Sequence, residues 1–457
     1  MTTDIDISKH SRVHLVGIGG CSMSGLALLF HDKGYYVQGS DAKHTPFVEA
    51  LENKGIKVFI GHDANNVEGC DLLIYSAAIP EDNVERAYAK SHNIPQIERK
   101  DALGAISQTY KKVVGISGCH GKTTITSMLA LINEHAALNS TVHIGGFVDF
   151  LGGGVRIGGH DLFITEACEY VESFLSLSPD IIVLNNIDDD HLNYFKDIEH
   201  IVQAFEKFIN QLPYDGVLIA NTDDFRVKKL FDAYEGRKIS YGMKHADFFP
   251  ANITYDEMGC AEFDLMKGSQ SLGRIKLNII GDYNMMNAIS ASACALELGA
   301  KFDSIKDALF NFSLARRRFE YYGTKQGAKV FHDYAHHPGE IKVVLGGAKK
   351  YPHNKLYVVF QCNSYSRAKT LFTQNVDCFN NADVVLVPDI FPGREKDDGT
   401  VHARDIVEAI NKSGVEAHYL KDFSDINDYL KEVLHPDDLV ITLGSGDVFE
   451  KTRELVD

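Results

Sequence analysis

The segment GISGCHGKTT, residues 115–124, contains the residue types that bind nucleotide phosphates. A P-loop has a glycine, four free positions and then Gly-Lys-Ser/Thr, which would place the first glycine at position 116. Ile116 stands there instead, between Gly115 and Gly118. Because an apolar strand precedes the segment and a helix follows it, N–H groups at the helix N-terminus would face phosphate oxygens. The segment predicts a shortened phosphate-binding loop, and a glycine turn that binds nothing is the alternative.

Two residues of this segment have defined chemistry in a phosphate-binding loop. Lys122 would neutralise the β- and γ-phosphates, and the Thr123 hydroxyl would ligate Mg²⁺. A magnesium site also needs hard donors from a neighbouring strand end. Glu166 ends the apolar strand DLFITEA, and Asp188–Asp190 and His191 follow the strand DIIVLNN. We expect donors among these residues; solvated loop acids and a core histidine are the alternatives.

A second glycine turn, Gly-Ile-Gly-Gly at residues 17–20, follows the strand VHLV and precedes a helix. About twenty residues later, Ser40 and Asp41 end the next strand, where dinucleotide-binding folds carry an acid that holds the ribose. The spacing departs from GxGxxG because Ser22 stands where the third glycine should be. The turn predicts a site for a nucleotide diphosphate, not necessarily NAD, and a structural turn is the alternative.

The composition is that of a globular protein with no general attraction to polyanions. Of 457 residues, 46 are Lys or Arg and 63 are Asp or Glu, which gives a formal net charge of −17. This charge opposes binding to nucleic acid and to anionic membranes. No apolar run is long enough for a transmembrane helix, and the polar first residues predict no signal peptide. Eight cysteines without a CxxC pair indicate free thiols, and we expect a cytoplasmic protein.

Both glycine turns need a framework that positions them, and the chain contains three successions of apolar strands and helices. VHLVGIGG, KVVGIS and AKVFHD begin the three successions. Strands that alternate with helices indicate parallel sheets. We therefore predict an α/β fold with three domains. These are a Rossmann-like domain at residues 1–108, a P-loop ATPase-type parallel-sheet domain at 109–315 and a Rossmann-like α/β domain at 316–457.

Nine motifs occur in order along the chain: GIGGCSMSGLA, GSD, GCHGKTT, TEACEYVESF, NIDDDHLNYF, NMMNA, RRFE, DYAHHP and YSR. Together they resemble the motifs of the Mur ligases, and within that family those of the ligases that join L-alanine to UDP-N-acetylmuramate. The resemblance covers all three predicted domains. It implies that the first domain binds the UDP-sugar, the second binds ATP and the third binds the incoming amino acid.

The resemblance also implies roles for individual residues. Contacts to the UDP-sugar would come from Gly17, Gly19, Gly20, Ser22, Asp41, His62 and Ser76. Contacts to ATP would come from Gly118, His120, Gly121, Lys122, Thr123, Thr124, Asn284, Asn287, Arg318 and Asp333. Magnesium would be held by Thr123, Glu166 and His191, and the amino acid by Tyr334, His336 and Arg367. The catalytic residues would be Lys122, Glu166, His191 and Arg318. Taken singly, each residue also has a structural explanation, such as helix capping or a solvated charge.

The activity implied is that of an ATP-dependent carboxylate–amine ligase in peptidoglycan precursor synthesis. Its substrates would be UDP-N-acetylmuramate, L-alanine and ATP, with Mg²⁺ as cofactor, and the protein would be a monomer or a homodimer. One alternative is a ligase that joins recycled murein tripeptide to the same UDP-sugar. Another is a catalytically weak paralogue that only binds UDP-muramyl species. A nicotinamide-dependent dehydrogenase is a third, although it would leave Lys122, Glu166 and His191 without a role.

The sequence departs from the family pattern at several positions. Cys119 replaces the usual threonine, Tyr283 a histidine and His332 an aspartate. Residues 362–364, Cys-Asn-Ser, stand where Pro-His and often a basic residue are typical, and IFPGRE at 390–395 replaces a Tyr-Ala-Ala type segment. We expect these changes to lie around the ATP and amino-acid sites and to bear on which amino acid is used.

Overall fold

The computed structural model describes residues 6–191, 194–314, 317–393 and 395–456. The chain divides into two compact units: residues 1–250, 265–273 and 287–309 form the first, and residues 251–264, 274–286 and 310–457 form the second. Three sheets with flanking helices confirm the predicted α/β class. Every helix in the described part of the chain is too short or too polar to span a bilayer.

The first sheet is parallel, with the strand order β3-β2-β1-β4-β5. Its strands are β1 (Arg12–Val16), β2 (Tyr36–Asp41), β3 (Lys57–Ile60), β4 (Leu72–Tyr75) and β5 (Gln96–Glu98). Its helices are α1 (Cys21–Asp32), α2 (Pro46–Glu52), α3 (Val84–Ser91) and α4 (Arg99–Ser107), with 3-10 turns at Ile7–Lys9 and Ala64–Val67. The glycine turn at 17–20 joins β1 to α1, as predicted.

The second sheet has the order β15-β14-β13-β12-β11-β10-β6-β9-β7-β8. Its strands are β6 (Lys112–Ser117), β7 (Thr141–Val148), β8 (Gly153–Arg156), β9 (Leu162–Glu166), β10 (Ile181–Leu184), β11 (Val217–Asn221), β12 (Arg237–Tyr241), β13 (Phe248–Tyr255), β14 (Cys260–Lys267) and β15 (Gln270–Ile280). Helices of this region are α5 (Lys122–His135), α6 (Ile198–Ile209), α7 (Phe225–Ala233), α8 (Asp282–Glu297) and α9 (Phe302–Asn311), with 3-10 turns at Asp149–Leu151 and Tyr170–Ser176. Strands β6 and β9–β12 are parallel, whereas β8 pairs antiparallel with β7.

The first unit contains both the first sheet and the parallel strands of the second, because helices of the first sheet pack on the second. Gly25 in α1 lies so close to β7 that a Cβ there would be 2.9 Å from the His143 ring. Gly104 in α4 packs in the same way on Ser176. One continuous core of buried apolar side chains, from Leu15 to Phe163 and Phe208, joins the two sheets.

The third sheet lies in the second unit and has the order β16-β17-β21-β18-β19-β20. Its strands are β16 (Glu320–Lys325), β17 (Ala328–Asp333), β18 (Leu356–Phe360), β19 (Val384–Val387), β20 (Glu416–Tyr419) and β21 (Leu439–Leu443). Its helices are α10 (Pro338–Ala348), α11 (Tyr365–Thr370), α12 (Phe372–Asp377), α13 (Ala403–Lys412), α14 (Phe423–Val433) and α15 (Val448–Leu455). Strands β18, β19 and β21 are buried throughout, as expected for parallel strands covered by helices on both faces.

Candidate active site

The phosphate-binding loop joins β6 to α5, and its glycines are required by its geometry. Gly118 and Gly121 have φ angles of 128° and 89°, which favour glycine. A Cβ on Gly121 would lie 2.6 Å from Asn185 Nδ2 and 2.8 Å from Asn287 Oδ1. Helix α5 starts at Lys122, so Thr123 and Thr124 occupy its first turn. The loop therefore has the strand–turn–helix form predicted for a phosphate site.

The segment after β10 holds this loop in place. The His120 N–H donates to Asn186 Oδ1 at 2.8 Å, and Asn185 Nδ2 donates to the His120 carbonyl at 3.0 Å. Asn185 is fixed in turn by the buried Tyr241, whose hydroxyl donates to its Oδ1 at 2.8 Å. The His120 ring faces the Asp188 carboxylate, with Nε2 3.3 Å from Oδ2. The sequence analysis assigned no role to either asparagine, although Asn186 is the first residue of the motif NIDDDHLNYF.

Cys119 belongs to the same anchoring arrangement. Its thiol donates to the Asp188 carbonyl at 3.4 Å and accepts the Asp188 N–H at 3.2 Å. The side chain is buried, and burial raises the pKa of the Cys119 thiol well above its ordinary value. A threonine hydroxyl can also donate and accept, so the replacement of threonine by Cys119 preserves an anchor between the loop and the β10 segment.

Replacement of Cys119 by Thr should change the free energy of unfolding by less than replacement by Val. Valine has similar shape to threonine but leaves the Asp188 N–H and carbonyl without their partner, which costs roughly 1–3 kcal/mol. Urea unfolding of the two variants measures the difference. Equal stability of the two variants would show that the thiol anchors nothing.

The Lys122 ammonium pairs with Glu169, a residue that the sequence analysis did not single out. Lys122 Nζ lies 2.8 Å from Glu169 Oε2 and 3.1 Å from Oε1, and donates to the Gly118 and Cys119 carbonyls at 2.6 and 3.1 Å. The Glu169 side chain is only 1% exposed. Burial disfavours the Lys122 ammonium, but the charge of Glu169 outweighs burial and raises the pKa of Lys122. A cation is thus held permanently over the loop.

Glu169 also belongs to a cluster of metal-ligand side chains. One ligand atom each of Glu169, Asp190 and His191 lies within 4.8 Å of the others. His191 Nε2 is 3.6 Å from Glu169 Oε1, and the His191 ring packs against Tyr170 at a centroid distance of 4.6 Å. Carboxylate oxygens are the donors that Mg²⁺ prefers, and imidazole is a frequent ligand of other divalent ions. This donor set fits a divalent cation beside Lys122.

The predicted ligands Thr123 and Glu166 lie on either side of a glycine pair in β7. A Cβ on Gly145 would be 3.2 Å from Glu166 Oε2, and one on Gly146 would be 3.1 Å from Thr123 Cγ2. The Gly145 N–H donates to Glu166 Oε1 at 2.9 Å. Glu166 and His191 were predicted as ligands of one ion; among the described residues, the ligand cluster at His191 contains Glu169 in place of Glu166.

At the first glycine turn, the structure brings together most of the residues predicted for the UDP-sugar. The N–H groups of Gly17 and Ile18 donate to the Ser40 carbonyl, and the Gly19 N–H donates to Asp41 Oδ2 at 2.9 Å. Gly20 caps α1. A Cβ on Gly17 would lie 3.5 Å from Ser76 Cβ, so Ser76 borders the same turn.

His62 is anchored by a buried acid, Glu85, that the sequence analysis also missed. His62 Nδ1 lies 3.1 Å from Glu85 Oε2, which also accepts the Ser40 hydroxyl at 2.5 Å. Glu85 Oε1 accepts from Asn66 Nδ2 at 2.7 Å and lies 3.6 Å from His14 Nε2. Burial opposes ionisation of this fully buried side chain, but the nearby His14 ring and the hydrogen bonds from Ser40 and Asn66 prevail and lower the pKa of Glu85 to about 2.

This network predicts acid lability of the first unit. The folded-state pKa of Glu85, about 2, lies below its ordinary value of 4.5. Ionised Glu85 therefore stabilises the fold above about pH 4.5, and that contribution, roughly 3 kcal/mol, is lost as the pH falls from 4.5 to 2. Glu85→Gln should be less stable than wild type at pH 7 and equally stable near pH 2 by urea unfolding. Glu81→Gln, at an exposed site, is the control; a constant difference between wild type and Glu85→Gln would contradict the assignment.

The second unit contains the remaining residues predicted for ATP and the amino acid. Arg318 Nη1 lies 4.0 Å from Asp333 Oδ1 and 3.9 Å from Glu340 Oε1. Burial raises the pKa of Asp333 to about 6, although Arg318 acts against that shift. The Tyr334 and His336 rings pack edge to face at 5.2 Å, and His336 Nδ1 is 3.4 Å from Glu340. These predicted residues thus form one group at the carboxyl end of β17.

Two predicted asparagines and one departure lie in α8. Asn284 is buried and its Nδ2 donates to the Ile280 carbonyl at 2.8 Å, whereas Asn287 lies beside Gly121 in the first unit. Tyr283 occupies the first turn of α8. Burial raises the pKa of the Tyr283 phenol, and the charges of Asp333 and Arg318 also act on it. These effects indicate that Tyr283 lies near Arg318 and Asp333. That this group binds the nucleotide stays a prediction.

His332 does not belong to that group. Successive residues of a strand face opposite sides of the sheet, so His332 points away from Asp333. Its Nδ1 lies 3.0 Å from the Thr442 hydroxyl and its ring is 6.4 Å from that of Phe449. Burial lowers the pKa of His332 to about 3, so the ring is neutral. The expectation that this departure lies at the ATP or amino-acid site was wrong; His332 is part of the core.

The other departures border the predicted amino-acid residue Arg367. Asn363 Nδ2 donates to the Ser445 hydroxyl at 2.6 Å, and the Ser364 N–H donates to the Phe391 carbonyl at 2.8 Å. Ser364 is the N-cap of α11, and its hydroxyl accepts the Arg367 N–H at 3.4 Å. Residues 362–364 and Phe391 are therefore paired at the carboxyl ends of β18 and β19.

A phosphate-binding loop with a buried lysine–glutamate pair and a neighbouring carboxylate–imidazole cluster is typical of an enzyme that acts on a nucleotide. Family models identify the class of enzyme. Residues 12–111 match the Mur ligase family catalytic domain, 116–295 the Mur ligase middle domain and 317–446 the Mur ligase glutamate ligase domain. The chain belongs to the Mur ligase family.

Individual relatives align over nearly the whole chain. UDP-N-acetylmuramate–L-alanine ligase of Clostridium acetobutylicum is 44% identical over 445 residues, with 97% of each chain covered. The crystal structure of UDP-N-acetylmuramate-alanine ligase from Thermotoga maritima matches with a TM-score of 0.79 and 26% identity, covering 98% of both chains. A murein peptide ligase from Psychrobacter arcticus shares the fold, with a TM-score of 0.71, 22% identity and coverage of 97% and 98%.

Proposed function

We propose that this protein is an ATP-dependent ligase that joins L-alanine to the lactyl carboxylate of UDP-N-acetylmuramate. The observation that carries the proposal is the 44% identity, over 97% of both chains, to a ligase of that name. The reaction belongs to peptidoglycan precursor synthesis, and we place it in the cytoplasm, with the protein a monomer or a homodimer. Residues 1–108, 109–315 and 316–457 are the domains proposed for the UDP-sugar, ATP and the amino acid.

The chemistry requires activation of a carboxylate, because oxide is too poor a leaving group for direct amide formation. A lactyl carboxylate oxygen attacks the γ-phosphorus of ATP, the bond to the β-phosphate oxygen breaks, and ADP leaves. The alanine amine then attacks the acyl carbon of the acyl phosphate to give a tetrahedral intermediate. Collapse of that intermediate releases inorganic phosphate, and the amine loses a proton, which leaves the amide.

The residues of the first unit suit the first step, in which two anions approach each other. Lys122 supplies a fixed positive charge at the phosphate loop, and such charge at the transferring group is the main requirement of phosphoryl transfer. Gly118, His120, Gly121, Thr123 and Thr124 would present the loop N–H groups and hydroxyls to the phosphates. In the second unit, Arg318 would add a second cation, with Asp333 and Asn284 at the nucleoside. Asn287 of the first unit would also contact the nucleoside.

We propose Mg²⁺ as the cation, held by Thr123, Glu166 and His191, with Glu169 and Asp190 as further ligands. The support from the structure is the cluster of Glu169, Asp190 and His191, two carboxylates and an imidazole within 4.8 Å of one another. Thr123 and Glu166 are proposed from the resemblance to the family. Bound there, Mg²⁺ neutralises phosphate charge and orients phosphate oxygens. The amino acid would be bound by Tyr334, His336 and Arg367, with the Arg367 guanidinium paired to the alanine carboxylate.

One assay tests the proposal: phosphate release with ATP, Mg²⁺ and UDP-N-acetylmuramate, in the presence and absence of L-alanine. Alanine-dependent phosphate release, with formation of the UDP-muramyl-alanine product by mass spectrometry, is the expected result. Stimulation by murein tripeptide and not by alanine would assign the protein to murein recycling. Tight binding of the UDP-sugar with no turnover would instead identify a binding protein.

A further inference from the structure

Arg99 is a cation next to the first glycine turn that has no role in the site as described so far. It is the first residue of α4, and its Nη1 donates to the Ser22 hydroxyl at 3.1 Å, across 77 positions of sequence. Arg99 is partly exposed, and among residues 6–191 and the other described ranges no carboxylate forms an ion pair with it. A guanidinium offers five N–H donors, so most of the donors of Arg99 are available to a ligand.

The Ser22 hydroxyl, which accepts from Arg99, also contacts His143. His143 Nε2 lies 3.3 Å from Ser22 Oγ and 3.2 Å from the Ser22 carbonyl. Burial lowers the pKa of His143 to about 4, so the ring is neutral at pH 7 and carries one proton. His143 Nδ1 lies 3.3 Å from the Thr165 hydroxyl, so the neutral ring is held between Thr165 and Ser22.

We propose that Arg99 and the Ser22 hydroxyl bind an anionic oxygen group of the UDP-sugar, with the neutral His143 orienting Ser22. The inference rests on the proposed function, since it assigns two ligand contacts within the same substrate site. Two groups of UDP-N-acetylmuramate have this chemistry, the diphosphate and the lactyl carboxylate. Arginine suits either group, because its planar donors match both carboxylate and phosphate oxygens in pairs.

The test is equilibrium binding of two nucleotide sugars by titration calorimetry, without ATP or alanine, so that turnover is not required. UDP-N-acetylmuramate has both anionic groups, and UDP-N-acetylglucosamine has the diphosphate but no lactyl carboxylate. Arg99→Met keeps the aliphatic stem and removes the charge. Lys100→Met is the matched control, because it removes the same charge from the next residue of α4, where Lys100 already pairs with Glu98 at 3.8 Å.

Arg99→Met should weaken binding of UDP-N-acetylmuramate by roughly 10- to 100-fold, the effect of losing a charge-assisted hydrogen bond. Lys100→Met should change it by less than about threefold. Weakening for both sugars assigns Arg99 to the diphosphate, and weakening for UDP-N-acetylmuramate alone assigns it to the carboxylate. Unchanged binding of both sugars to folded Arg99→Met overturns the inference while leaving the proposed function intact.

Two further measurements distinguish a binding role of Arg99 from a structural one. If Arg99→Met does not fold, as judged by thermal unfolding, Arg99→Lys replaces it; its single ammonium should still bind several-fold more weakly than the guanidinium fork. Binding to wild type should also weaken more steeply with added NaCl than binding to the variant, which a purely structural role of Arg99 would not produce. A wild-type protein that binds neither sugar would overturn the proposed function together with this inference.

Discussion

Substitution of Lys122 by Met should reduce alanine-dependent phosphate release by about 10³-fold or more, the scale of losing a main charge-stabilising group in an active site. The lactyl carboxylate and the γ-phosphate are both anions, and the Lys122 ammonium is the cation fixed at the phosphate loop. Methionine keeps the length and apolar stem of lysine but removes the charge. Single-turnover phosphate release with saturating substrates measures the effect on the chemical step directly.

Lys111→Met is the control for this variant. It removes the same charge from the protein, but from a surface lysine that pairs with Asp161. It should retain nearly full activity. Loss of Lys122 leaves Glu169 buried without its cation, so the variant should also be less stable, by roughly 3 kcal/mol in urea unfolding. The assay must therefore be run well below the unfolding temperature of the variant. Retention of more than about a tenth of wild-type activity would refute the assignment, since a dispensable charge cannot supply the expected stabilisation.

The sequence predicted the glycine turns well, because their form is local. Both turns lie between a buried parallel strand and the helix that follows it, and four to six consecutive apolar or small residues reveal such a strand. The conformation of Gly121 also follows from sequence, because a positive φ angle at a helix N-terminus needs glycine. The α/β class with three sheets was confirmed for the same reason. The domain boundaries at 108 and 315 stay a prediction.

The two ends of the second sheet were not predicted. Strands β13 to β15 form by pairing between polar, half-exposed segments, and their register depends on the neighbours that they meet in the fold. Strands β7 and β8 together contain four glycines, which weaken any strand pattern. A period of two is visible in β14, but it carries no information about which strand lies beside it.

The same limit applies to the partners of the predicted site residues. Glu85, Arg99 and Asn185 each contact a predicted residue that is distant in sequence, at separations of 23, 77 and 65 positions. Sequence patterns show which residues a strand end presents, but only the fold shows which of them meet. His332 illustrates the opposite error, since a departure from a motif suggested a change of the site where the side chain in fact packs in the core.

The choice between Glu166 and Glu169 is a case in which geometry and sequence favour different residues. Glu166 was predicted because it ends β9, the usual place for a metal ligand. Beyond Glu169 the chain turns through Val171 and Glu172, both with positive φ angles of 54° and 50°. This irregular turn places Tyr170 against His191, and no sequence pattern indicates it. Both glutamates belong to the motif TEACE, but the motif does not show which of them lies beside Lys122 and His191.

Glu169→Gln should therefore lower the rate of phosphate release by roughly 10²-fold relative to wild type. Glu166→Gln should lower that rate by less. Glutamine keeps the shape of the side chain but cannot neutralise Lys122 or ligate a cation with charge. Because Glu169 contacts Lys122 and lies 3.6 Å from His191, its loss removes an anion from both groups at once. The measurement is the rate at increasing Mg²⁺ concentration for the two variants and wild type.

The Mg²⁺ dependence separates a ligand from a residue that only positions Lys122. If Glu169 ligates the cation, Glu169→Gln needs a several-fold higher Mg²⁺ concentration for half-maximal rate, because one charged ligand is gone. If Glu169 only holds the lysine, the maximal rate falls and the half-maximal Mg²⁺ concentration stays as in wild type. A larger effect of Glu166→Gln on both quantities would restore the assignment made from sequence, and the buried Lys122–Glu169 pair would then be a structural pair that stabilises the loop.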